Sequence, residues 1–149
     1  MERADRDWLA AAIELSIRCP PSASAFSVGA IVVNAAGQVI ATGYSRESDA
    51  KIHAEEVALS KVAADVDLAS ATLYSSLEPC LFRASRPVPC AELILARKVG
   101  RVVFAWTEPP LFQPGGGACW LAEHGVEVAE MPELADSARA ANRSVLAES

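Results

Sequence analysis

The sequence predicts an α/β fold of three α/β/α layers, in which a mixed sheet of about five strands is covered by helices on both faces. Two observations carry this expectation. Strands alternate with helices after an opening hairpin, and the run at residues 101–106 is apolar enough for a strand buried on both sides. Size agrees: 149 residues, 52% of them hydrophobic and 21% charged, fit one domain spanning 1–149 that buries a core without disulfide staples.

Each element has its own warrant. Between residues 4 and 19, Leu9, Ala12, Ile13 and Ile17 recur at the spacing of one helical face, and Pro20-Pro21 ends the run. Residues 26–33 and 39–44 are rich in β-branched residues and flank Asn34-Ala35-Ala36-Gly37, a connection short enough for a hairpin. From His53 to about Val66, Ala54, Val57, Ala58 and Val62 share a helical face. Residues 71–77 read as a strand, 80–89 as a loop and 90–99 as a helix, with Pro87 and Pro89 where a helix start tolerates them. The strand at 101–106 leads into a Pro/Gly-rich loop over 107–117, a short helix ending near Gly125 and an edge strand at 126–129. Leu134, Ala138, Ala141 and Val145 then predict one amphipathic helix packed on the sheet.

Charge and composition exclude several classes. Acidic residues outnumber basic ones 19 to 13, a net charge of −6, and no basic stripe tracks a phosphate backbone, so long nucleic acid is not the expected partner. A single phosphate on a small substrate remains compatible with an acidic protein. The N-terminus MERADRDWLA lacks the apolar core of a secretory signal, and no apolar run approaches the roughly 20 residues that span a bilayer. A cytoplasmic protein with no membrane partner is expected, in which four cysteines serve metal binding, catalysis or packing rather than disulfides.

The spacing of chemistry-bearing residues decides among those roles. His53-Ala54-Glu55 is followed by Glu78-Pro79-Cys80 and, nine residues later, by Cys90. One imidazole and two thiolates suit a single Zn2+ per chain, and three protein ligands leave a fourth position for water. His53 and Cys90 fall at helix starts, where backbone partial charge favours thiolate. Glu55, two residues beyond a ligand on the same turn, is placed to move protons without ligating. Glu78 is expected to orient the metal-binding loop through backbone hydrogen bonds, and Glu56 to sit in a favourable first helical turn.

At these residues the chain resembles the cytidine/deoxycytidylate deaminase superfamily, whose signature is H-x-E followed by two cysteines after proline. Within it the sequence is most similar to the pyrimidine deaminase domain of riboflavin biosynthesis, which has a long loop between its cysteines. The resemblance implies a cytidine-deaminase-like fold, zinc-dependent hydrolytic removal of an exocyclic amino group from a small heterocyclic amine with water, and a homodimer or homotetramer. It also places a basic residue able to meet a substrate phosphate at Arg86. Phe26 is a candidate stacking face for an aromatic base or a core residue. Asn34, in the hairpin connection, is a third candidate substrate contact. Trp106, Phe112 and Trp120 either pack or wall the pocket.

Three departures from that family fall in the substrate region. Ser24-Ala25-Phe26 stands where Pro-Asn-Pro is usual, Ser45 stands where a histidine follows the second strand's tyrosine, and Leu81-Phe82-Arg83-Ala84-Ser85 replaces a Ser-His-His-Gly-like loop. Sites that read substrates by hydrogen bonds discriminate strongly, so these changes bear on the ring accepted. A purine base or specialised metabolite is the alternative substrate class. A zinc-stabilised module without turnover and an RNA-editing enzyme are the weaker alternatives.

Overall fold

The computed structural model describes residues 2–22, 24–81, 88–109 and 115–147. Helix α1 (Glu2–Ser16) precedes the hairpin β1 (Gly29–Val33) and β2 (Val39–Tyr44), and α2 (Ala54–Ser60) leads to β3 (Thr72–Leu77). Then come α3 (Cys90–Ala96), β4 (Arg101–Trp106), α4 (Gly117–Glu123) and β5 (Glu127–Glu130). A 3-10 turn (Pro132–Leu134) and two short helices, α5 (Ala135–Ala140) and α6 (Arg143–Ala147), complete the described fold.

The five strands form one sheet in the order β2-β1-β3-β4-β5, with β1 antiparallel to both β2 and β3, and β3, β4 and β5 mutually parallel. Two glycines show which helix covers which face. A Cβ on Gly29 would collide with the Ala12 carbonyl of α1, so α1 lies directly on β1. A Cβ on Gly43 would meet the backbone of α2 at Ala54 and Ala58. Gly43 pairs with Ala30, whose side chain points opposite to that of its neighbour Gly29, so α1 and α2 cover opposite faces. Helices α3 and α4 continue the α2 layer through mutual contacts, and α5 touches α1.

The three-layer α/β/α expectation therefore holds, with differences at element ends that have local causes. Helix α2 stops at Ser60 rather than near Val66. Lys61 and Val62 close tight turns onto Ala58 and Leu59, and the Arg97 guanidinium takes the carbonyls of Leu59, Val62 and Ala63 at 2.8–3.2 Å. The expected single C-terminal helix is two, broken at Asn142. Its N–H bonds the Arg139 carbonyl at 2.8 Å, and its buried carboxamide turns to distant backbone. The strand expected from Phe26 begins at Gly29; the Val28 carbonyl still accepts the Ser45 N–H at 2.9 Å, but its own N–H goes to the Ser45 hydroxyl at 2.9 Å.

The end of the sheet remote from the C-termini of β3 and β4 is tied by charge. Asp5 of α1 accepts two bonds from Arg101, at 2.9 and 2.6 Å, and one from the Tyr74 hydroxyl at 2.6 Å. The Arg101 guanidinium holds the Asp5 carboxyl below its ordinary value, and burial, then the bond to Asp5, pushes the Tyr74 hydroxyl up to about 12. Among the described residues no helix is long and apolar enough to cross a membrane.

Candidate metal and catalytic site

Two helix starts and one strand end converge on the candidate site. His53 is the N-cap of α2 in extended conformation, and its N–H donates to the Glu56 carboxylate three residues on, at 3.3 Å. Glu56 thus fixes the turn that presents the imidazole, a more specific role than a dipole preference. Cys80 lies three residues beyond β3, and Cys90 is the first residue of α3, after Pro89 as N-cap. The Ala91 N–H donates to the Cys80 carbonyl at 2.9 Å and the Cys90 N–H to the Cys80 sulfur at 3.3 Å, so the start of α3 is built onto the Cys80 segment.

The three donors meet. His53 Nδ1 is 3.5 Å from Cys80 Sγ and 3.4 Å from Cys90 Sγ, and all three ligand atoms lie within 4.8 Å of one another. Tetrahedral zinc with ordinary bond lengths would hold nitrogen and sulfur about 3.6 Å apart, so the donor set fits the ion with little movement. Both thiols are buried, and the Cys80 thiol is pulled down to about 4 by the hydrogen bond from Cys90. Burial opposes that shift, while His53 and the Cys90 N–H add to it. Glu55 is 4% exposed on the first turn of α2, next to the ligand-bearing N-cap.

Glu78 anchors the surroundings. Its Oε1 accepts the Glu108 N–H at 2.9 Å and its Oε2 the Ala118 N–H at 2.8 Å, while its own N–H donates to the Trp106 carbonyl at 2.8 Å. The carboxylate is therefore spent on backbone, as expected, and ties β4 and the start of α4 to the Cys80 segment. Gly117 completes the junction, since a Cβ there would collide with the Pro79 carbonyl.

The profile of the cytidine and deoxycytidylate deaminase zinc-binding region matches residues 2–106, the stretch that contains all three donors and Glu55. The chain belongs to this family. It is 37% identical over 127 residues to the diaminohydroxyphosphoribosylamino-pyrimidine deaminase of Schizosaccharomyces pombe, covering 83% of this chain and 31% of that protein. It superposes on the Acinetobacter baumannii RibD structure with a TM-score of 0.82 at 32% identity, covering 97% of this chain and 40% of that one. The Aspergillus oryzae Rib2 deaminase in complex with DARIPP shares the fold, with a TM-score of 0.76 at 22% identity and coverage of 97% of both chains. The chain thus spans less than half of the first two relatives.

The candidate substrate residues separate. Phe26 stands two residues before Val28, at the sheet end that carries the donors, with its ring edge-on to Trp106 at a centroid distance of 5.4 Å. Trp106 also lies under the Arg139 guanidinium at 5.7 Å and is 6% exposed, so it packs. Trp120 stacks on His124, 4.0 Å away, on α4. Asn34 is not brought to the site: it follows Val33, which pairs with the first residue of β3, whereas Cys80 follows the last. Its Oδ1 accepts the N–H groups of Ala36 and Gln38 at 3.0 and 2.9 Å, which makes it a turn residue. Arg86 and Phe112 lie outside the described residues.

Sequence reasoning missed Arg46 and Asn142, which hold the segment before β1. Ser45 hinted at the first, since it breaks the family pattern just before Arg46. Asn142 gave no local signal, because its partner Ser27 is 115 residues away.

Proposed function

We propose that this chain, as a single domain over residues 1–149, hydrolytically removes the exocyclic amino group of a small aminopyrimidine borne on a nucleotide or nucleoside-like carrier, releasing ammonia. The observation that carries the reading is the convergence of His53, Cys80 and Cys90 beside the buried Glu55. Identity to a deaminase of a diaminopyrimidine nucleotide supports the ring class.

His53, Cys80 and Cys90 would hold the zinc, which when bound polarises water and brings its ionisation towards about neutral pH. The chain's own residues do the rest. Glu55 accepts a proton from the attacking water, delivers it to the ring nitrogen, and then moves the remaining proton of the newly bonded hydroxyl to the departing amine. A C–O bond forms at the ring carbon, the C–N bond breaks, ammonia leaves, and Glu55 returns to its starting state. Buried Cys80 receives a backbone N–H bond at 3.3 Å, which keeps it in the form that ligates.

Phe26 is the proposed contact to the ring and Arg86 to the substrate phosphate. The working assembly is a homodimer or homotetramer in the cytoplasm, with no long nucleic acid and no membrane as partner. Ammonia release from cytidylate, deoxycytidylate and diaminopyrimidine ribonucleotides, each beside its unphosphorylated nucleoside, tests the function. Zinc-dependent turnover of at least one aminopyrimidine is expected, with the phosphorylated form preferred. Turnover only of purines, or of none, contradicts it. Light scattering of the same preparation reads the assembly, and a monomer would remove that part of the proposal.

A further inference from the structure

Arg46 joins two parts of the site that are distant in sequence. Its backbone is left-handed, with φ of 62°, and its N–H donates to the carbonyl of Ile52, the residue before His53, at 2.8 Å. The guanidinium reaches the other way. Nε and Nη2 donate to the Pro20 carbonyl at 3.0 and 2.7 Å, Nη1 to the Phe26 carbonyl at 3.1 Å, and Nη2 also to Ser27 Oγ at 2.7 Å. A non-glycine residue in that backbone region persists only where surrounding contacts determine it, and here they do so from both sides. One residue thus connects the segment before β1 to the turn that presents a zinc ligand.

Asn142 supplies a second grip. It is 1% exposed, its Oδ1 accepts the Ser27 N–H at 2.6 Å, and its Nδ2 donates to the Ser27 carbonyl at 3.0 Å. Behind the segment lies a cavity of about 270 Å³, lined among others by Ile17, Cys19, Pro21, Ala141 and Val145. Described side chains do not fill that space on the Ser27 side, so the polar grips add to the packing of Phe26, which is 9% exposed in the core. Between the two grips sits Phe26, whose ring meets Trp106 edge-on.

We infer that Arg46 and Asn142 are positioning residues that set residues 24–27, Phe26 among them, against the His53 turn, and so decide which planar ring the site accepts. The inference rests on the proposed deaminase reading for its substrate class. Without either grip the segment shifts and the ring loses the placement of its wall. A wall touches the ring equally before and during reaction, so its loss raises KM and leaves kcat nearly intact.

The test uses the zinc-loaded full chain with Arg46→Met, Arg46→Lys and Asn142→Leu. Steady-state kinetics are measured on the aminopyrimidine turned over best, and titration calorimetry follows uridine 5′-monophosphate, which has no amino group to lose. Expected for Arg46→Met and Asn142→Leu are roughly tenfold rises in KM and in Kd, kcat within about threefold, and unchanged zinc content. Arg46→Lys, which keeps a donor but not the fork, falls between these and the parent. A merely structural role would lower zinc content and kcat together at constant KM, and that result overturns the inference. Unchanged KM and Kd, or no binding of uridine 5′-monophosphate by the parent, overturn it as well. Ser27→Ala, which deletes only the bond from Nη2 to Ser27 Oγ, serves if the larger changes prevent folding: a KM rise of about twofold upholds the inference, and no rise overturns it. Absence of turnover with Kd still raised by the variants refutes the deaminase reading and leaves the positioning role standing.

Discussion

Glutamine at position 78 changes one atom of the carboxylate and reverses its chemistry. Both oxygens of Glu78 accept backbone N–H groups, at 2.9 Å from Glu108 and 2.8 Å from Ala118, in a side chain only 4% exposed. Glutamine can accept one of these bonds, and its NH2 must face the other donor. The loss is one charge-assisted bond, worth roughly 1.5–3 kcal/mol, together with a stranded buried donor worth about 1–3 kcal/mol. A neutral amide is easier to bury than a carboxylate, which offsets part of this and leaves about 3 kcal/mol. For a domain near this size that is a fall in Tm of roughly 6–12 °C. Because Glu78 is two residues from Cys80, zinc affinity should fall about 10- to 100-fold as well. Differential scanning calorimetry and a chelator competition read the two effects, with exposed Glu92→Gln as control. A Tm within 2 °C of the parent, with unchanged zinc affinity, would refute the assignment of Glu78 as the anchor of this loop.

Two further substitutions probe the frame around the site. Gly117→Ala forces a Cβ onto the Pro79 carbonyl, a backbone atom that cannot swing aside, and should destabilise by about 2–3 kcal/mol, read by urea unfolding; a change under about 0.5 kcal/mol would contradict the close approach. Tyr74 titrates near 12 when folded against an ordinary value of 10. The stabilising effect of that raised value is complete below pH 10 and lost as pH rises towards about 12. Tyr74→Phe should therefore flatten the decline in stability across that window, and an unaltered decline would place its cause elsewhere.

What the sequence revealed about the site was what local order could carry. His53, Glu55, Cys80 and Cys90 are legible because ligand chemistry and helix starts are both short-range signals, and the structure brings the three donors together. The alternation of hairpin, strands and helices likewise fixed the layers and the five-strand sheet. What stayed hidden depends on partners far along the chain. Arg97 caps α2 from more than 30 residues away, and Asn142 breaks the last helix to hold Ser27 across 115 residues. Asn34 was misread in the other direction. Expected as a substrate contact, it instead satisfies the hairpin turn with its carboxamide, at the opposite end of the sheet. Arg46 had only the hint of its neighbour Ser45, because a left-handed arginine has no composition signal and the carbonyls it meets belong to other segments.

One paired measurement tests both zinc binding by the three donors and proton transfer by Glu55. Zinc per chain is determined by mass spectrometry for the parent and for Glu55→Gln, and ammonia release from an aminopyrimidine nucleotide is followed in the same samples. About one zinc per chain is expected in both proteins, with a rate lowered about 10²- to 10⁴-fold in the variant. No zinc in the parent, or a variant that turns over as fast as the parent with its zinc in place, would contradict it.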